Sequence, residues 1–200
     1  VLPRDRLPAF RFLASDLIVS DLPCWLSLAS ATPAPDDCVR DWLSEPGSLT
    51  LRLTALAGGD FSVRPLLEEW QALRDDECAS LGLAPGTVGW VREVYLCGRG
   101  GQPWVFARSV VGREALQALQ LDLEHLGSRP LGHLLFSDKA FGRSPFEVCH
   151  YPAHWLPAEV ARAGLWARRS RFQRGKVGVL VAEIFLPEHW QAVRAEAGKS

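Results

Sequence analysis

No two cysteines of this chain stand in a Cys-x-x-Cys pair. Cys24, Cys38, Cys78, Cys97 and Cys149 are odd in number and widely spaced, which indicates neither a disulfide framework nor a zinc ribbon and fits a reducing cytosol. An excess of one charge sign is missing too. The formal net charge is −1, so there is no electrostatic reason to expect a nucleic acid partner. No stretch approaches the ~20 apolar residues of a membrane span, and Val1 to Pro8 contain no long apolar signal core. A cytoplasmic protein without an integral membrane segment is therefore expected. Internal repeats are absent, and no phosphate-loop pattern surrounds Gly98, Gly100 and Gly101. Cys149, His150 and His154 lie close together, but Pro152 breaks the helical spacing that would align two histidines on a metal.

What is present is ample material for a core. Hydrophobic residues make up 48% of the 200, with eight Trp and nine Phe, and no composition break forces a division, so residues 1–200 are read as one domain. Residues 1–35, rich in Pro and Ser, form a peripheral N-terminal segment with a short helical stretch at 22–29. Asp36-Asp37 can cap a helix to about Ser44, and Ser48 another over 49–57 that Gly58-Gly59 ends. From Phe61 the period becomes two, with Pro65 placing that strand at an edge or bulge. Val88 to Cys97 and Pro103 to Val111 are strands joined by a glycine-rich hairpin turn. Leu116, Leu119, Leu123 and Leu126 mark an amphipathic helix over 113–126. Residues 129–136 read as a loop entering a short helix, with Pro130 in its first turn. Strands at 145–151, 165–173 and 177–186 follow, the last two as a hairpin. Residues 188–200 are a C-terminal extension, read as a loosely attached helix. The pattern predicts an α+β fold: a roughly six-stranded, largely antiparallel sheet covered by helices.

Two strands carry a charge on an apolar face. Arg92 shares its side with Trp90, Val94 and Leu96, and Glu183 shares its own with Val179, Val181 and Phe185. A buried charge needs a partner. Arg92 and Glu183 therefore either pair with each other or wait for a polar ligand. Arg108, in line with Phe106 and Val110, is either a second anion contact or a structural partner of Glu93 or Glu147. Arg168, Arg169 and Arg171 read as a solvated charge run with at most one member facing a pocket.

Five ordered segments carry a family resemblance: Trp90-Val91-Arg92-Glu93 continuing to Cys97, Gln102-Pro103-Trp104 to Val111, Arg129-Pro130-Leu131-Gly132-His133 to Phe136, Gly164-Leu165-Trp166 to Arg171, and Ala182-Glu183-Ile184-Phe185-Leu186-Pro187. Together they closely resemble chorismate pyruvate-lyase, the bacterial enzyme that makes 4-hydroxybenzoate for ubiquinone. The resemblance implies a cofactor-free, metal-free lyase, expected as a monomer, that removes the enolpyruvyl group of chorismate as pyruvate. It also implies short helical flaps over a buried site whose ligand contacts map onto Leu49, Arg92, Leu131 and Glu183, with Arg92 and Glu183 catalytic.

Those residue types suit the chemistry. Chorismate has two carboxylates, so its site needs donors in two places. Arg92 can clamp one in a bidentate fashion, and Leu49 and Leu131 fall in first helical turns, where backbone N–H groups lack internal acceptors. Glu183 is pulled up in pKa by desolvation and down by any nearby arginine. The expectation is an acceptor for the ring hydroxyl with acid/base assistance. The competing reading is a non-catalytic binding module for aromatic acids, of the related fold found in effector domains of transcription regulators. Residues 1–60 show no basic recognition helix to support it.

Overall fold

Alternation with period two over Val88–Cys97 and Pro103–Gly112 makes two strands that are apolar on both faces, as the centre of a covered sheet requires. A computed structural model of the chain, which describes residues 22–119, 125–132, 135 and 141–198, places them there. The elements in chain order are β1 (Leu26–Ser27), α1 (Asp37–Ser44), α2 (Leu49–Leu56), β2 (Ser62–Ala72), α3 (Asp75–Leu81), β3 (Val88–Cys97), β4 (Pro103–Gly112), α4 (Arg113–Leu119), β5 (Gly142–Arg143), β6 (Glu147–Tyr151), β7 (Leu165–Arg174), β8 (Val177–Phe185) and α5 (Pro187–Ala197). All strand pairings are antiparallel. The order is β1-β6-β7-β8-β4-β3-β2, with β5 on β7.

The α+β, antiparallel expectation holds, with eight strands among the described residues instead of about six. The two additions are two residues long each, too short to show a period in sequence. β1 replaces the helix expected at 22–29: Leu26 pairs with Val148 on the edge of β6 and a single 3-10 turn, Leu28–Ser30, follows. An open sheet edge offers this short segment the backbone partners that a lone helical turn does not. β2 lies at the other end of the sheet, and its register shifts between Pro65 and Leu67, so the proline sits at both an edge and a bulge.

α3 was not anticipated from the sequence. Its signals are an acidic first turn of Asp75, Asp76 and Glu77, a return bond from Arg74 N to Glu77 Oε2 of 2.9 Å, and Gly82 at φ 68° closing it. α5 corrects the idea of a loosely attached tail. His189 is fully buried and Trp190 packs with it against Phe185. The helix expected over 113–126 is seen as α4 to Leu119, and its continuation through 120–124 lies outside the described residues, as do residues 1–21 of the peripheral segment.

The sheet has two covered faces. On one, Trp90, Val94, Leu96, Val105, Val111, Val179 and Phe185 meet α1, α2, α4, α5 and the segment around Leu126 to Leu135. On the other, Val91, Tyr95, Phe106, Val110, Leu180 and Ile184 meet α3 and the loop from Tyr151 to Leu165. Full burial of each such side chain contributes about 1.5–3 kcal/mol, so this double cover pins the register that decides which charges face which layer. No helix among the described residues is long and apolar enough to cross a membrane.

Candidate active site

Register alone brings Arg92 and Glu183 to one face. Arg92 pairs with Ser109 of β4, and Ser109 with Val181 of β8; Glu183 lies two residues further along β8, opposite Ala107. Two strand spacings of ~4.8 Å and a two-residue offset of ~3.4 Å each put their Cα atoms about 12 Å apart. Between them stand Ala107 and Ser109, the small residues of β4. A hollow results, with about 530 Å³ of space among and around the protein atoms, the open solvent at its mouth included.

The floor is Arg92, Val94, Leu96, Ala107, Ser109, Val181, Glu183 and Phe172; the roof comes from Ser48, Leu49 and Thr50 on one side and Pro130, Leu131, Gly132 and Leu135 on the other. Leu49, Arg92, Leu131 and Glu183 thus all line one cavity. Ser48 begins α2, its hydroxyl accepting from Leu51 N at 3.4 Å, so the N–H groups of Leu49 and Thr50 point along the positive end of that helix. Leu131 and Gly132 are also helical.

The two charges do not satisfy each other. Arg92 Nε donates to Glu68 Oε1 of the neighbouring strand at 2.7 Å, and Nη2 donates to the carbonyls of Gly127 and Arg129 at 2.7 and 3.1 Å. Nη1 has no acceptor among the described residues. Glu183 Oε2 accepts from Arg168 Nε at 2.6 Å, and Oε1 has no donor among the described residues. Each charge is therefore compensated by a separate partner, and both side chains line the hollow. A guanidinium held this way is fixed in orientation before any ligand arrives.

The arginine run is not a solvated face. Arg168 is 0% exposed and Arg169 is buried. Alternation splits them: Arg168 backs Glu183 and reaches the carbonyls of Trp42 and Glu45, while Arg169, on the opposite face, pairs with Asp76 and Glu147. Arg168 does not itself line the hollow. Arg108 also faces away, bound to Glu77 at 2.6 Å and Glu93 at 2.7 Å; burial pulls its pKa down, but those two carboxylates leave it raised. It is a structural ion pair.

Arg143 is the cavity residue that sequence reasoning missed. It sits on β5 opposite Phe172, donates from Nη1 to the carbonyls of Pro46 and Gly47 at 3.0 and 3.3 Å, and from Nε to Ser170 Oγ at 2.8 Å. Burial pushes its pKa down to about 10, opposed by Glu183 and Glu45 and assisted by Arg168, which leaves it protonated at neutral pH. Gly142, Ser144 and Pro145 give it no apolar strand face against which a charge would stand out.

Comparison with known proteins bears on this arrangement. A protein of Pseudomonas fluorescens (strain Pf0-1) described as "Probable chorismate pyruvate-lyase 2" is 61% identical over 176 residues, covering 88% of this chain and 96% of its own. One of Pseudomonas aeruginosa (strain UCBPP-PA14), described as "Probable chorismate pyruvate-lyase", is 62% identical over 169 residues, covering 83% of this chain and 92% of its own. Among solved structures, PhnF from Mycobacterium smegmatis has a TM-score of 0.50 at 13% identity, covering 72% of this chain and 66% of that one, a likeness of fold alone. The sequence profile of the family described as "Chorismate lyase" matches residues 24–195, and the chain belongs to that family.

Proposed function

We propose that this protein is a chorismate lyase that converts chorismate to 4-hydroxybenzoate and pyruvate, the first committed step toward ubiquinone. The observation that carries the reading is that Arg92 and Glu183, each paired with its own separate neighbour, line the same hollow. Arg92 takes the ring carboxylate. Glu183 accepts from the ring hydroxyl at the other end, its second oxygen held by Arg168 so that the first is aimed at the ligand. Leu49 and Leu131 contribute backbone at the two edges of the roof.

The reaction breaks the ether C–O bond, removes the ring hydrogen beside the hydroxyl, and places a proton on the enolpyruvyl methylene; aromatisation drives it. Glu183 assists by positioning the hydroxyl and by acid/base exchange, which typically contributes about 10²–10⁴ in rate. Glu183→Gln is expected to fold and to lose at least about 10² in turnover. The direct test incubates purified protein with chorismate and follows 4-hydroxybenzoate absorbance; no product above the spontaneous rate would sink the proposal. Binding of aromatic acids without turnover would instead favour a sensor of the effector-domain type.

A further inference from the structure

We propose that the Ser109 hydroxyl is a second donor to the ligand's ring carboxylate, beside Arg92, and sets how tightly the site holds the acid end of the ring. This rests on the lyase reading, in which Arg92 takes that carboxylate.

A serine on the core face of an interior strand needs a use. Ser109 is buried on β4, where a hydroxyl without a partner costs stability. The other buried polar side chains of the sheet, Arg92, Arg108, Arg168, Arg169, Ser170 and Glu183, each have a hydrogen-bond partner. The side chain of Ser109 has none among the described residues. Unlike Nε1 of Trp90, which is enclosed without a partner, it lines the hollow.

Register sets what that hydroxyl can reach. Glu68, Arg92, Ser109 and Val181 form one row across β2, β3, β4 and β8. Glu68 holds one flank of Arg92 through Nε at 2.7 Å and repels a second carboxylate arriving there. The flank left for an anion is the one over β4, where Ser109 stands. Strand spacing puts the Cα of Ser109 about 5 Å from that of Arg92 and, with a two-residue offset, about 8 Å from that of Glu183. A side chain one carbon long therefore serves the carboxylate end of the ring and not the hydroxyl end. A carboxylate between the two accepts from the guanidinium with one oxygen and from the Ser109 hydroxyl with the other. Val181, next in the row, is apolar and offers no competing donor.

The test uses Ser109→Thr and Ser109→Val, which share one shape and differ in the hydroxyl, with Ser109→Ala as the variant that adds no bulk. Dissociation constants for 4-hydroxybenzoate and for benzoate, which lacks the ring hydroxyl, are measured by titration calorimetry. Ser109→Val is expected to bind both ligands about 10- to 100-fold more weakly than Ser109→Thr, the loss of a hydrogen bond to a charged group, and Ser109→Ala to fall as far below the wild type. Binding that Thr keeps and Val loses separates a hydroxyl contact from a change in packing. Should the added methyl shut both ligands out of the Thr and Val variants, Ser109→Ala against the wild type carries the comparison. Equal affinity with and without the hydroxyl would overturn the proposal. So would a difference seen with 4-hydroxybenzoate but lost with benzoate, which would move the contact to the Glu183 end, or a wild type that binds no benzoate. Because the comparison needs no turnover, the expected differences in a protein that leaves chorismate intact would sink the lyase reading alone, and turnover of chorismate with no such differences would sink the Ser109 contact alone.

Discussion

At the scale of single residues, the informative pattern is a charge whose counterion sits behind it. Arg168 is fully buried and bonded to Glu183; removing it strands a carboxylate in an apolar surround. Arg168→Met is expected to cost about 3–5 kcal/mol, and less than half of that on a Glu183→Gln background, where no charge is stranded. Urea unfolding of the four proteins checks this, and equal costs on both backgrounds would mean that the pair is not coupled. The same residues explain what could be read in advance. Arg92 and Glu183 were visible because each interrupts an apolar strand face. Their counterions were not, since Glu68 and Arg168 become neighbours only through strand register, and three near-adjacent arginines look like a wetted surface until alternation divides them. Arg143 had no such background at all.

Among the elements, the hairpin β3–β4 supplies both the wall that carries Arg92 and the small residues that leave the hollow open. Its turn is tightly fitted. A Cβ on Gly98 would lie 2.1 Å from Cε2 of Trp104, and Trp104, placed at the register shift where β4 starts, is buried in the core beneath α5. Gly98→Ala is therefore expected to destabilise the protein by about 1–3 kcal/mol through overpacking, read as a lower midpoint in thermal or urea unfolding; a midpoint within error of the wild type would show that the indole can retreat. Six strands and the helices α1, α2 and α4 were legible from period and caps. β1 and β5 were not, because two residues cannot display a period. α3 hid behind a run of acids that also suits a loop.

Taken as a whole, the molecule rests two layers on one sheet, and α5 closes the first of them by inserting His189 among Trp42, Trp104, Phe185 and Trp190. Neither ring nitrogen has a hydrogen-bond partner among the described residues. Burial, with the like charges of Arg52 and Arg168, pushes its pKa down to about 3. The folded state therefore holds this ring neutral while the unfolded chain binds a proton from about pH 6.5 downward, so stability falls as pH drops from about 6.5 toward 3. His189→Leu is expected to remove most of that slope, several kcal/mol by pH 4, relative to wild type in urea midpoints taken between pH 7 and 4. Parallel curves would show that the ring titrates normally.

With Arg92 taking the ring carboxylate as proposed, the bonds from Arg92 Nη2 to the carbonyls of Gly127 and Arg129 would make the ligand's anchor and the roof's anchor a single side chain. Thermodynamic linkage then applies: whatever steadies the segment leading to Leu131 raises affinity for the ligand, and a bound ligand steadies that segment by the same factor. Substituting Arg92 removes both at once. Its variants report the sum of the two effects, which changes in the ligand can resolve and changes at position 92 cannot.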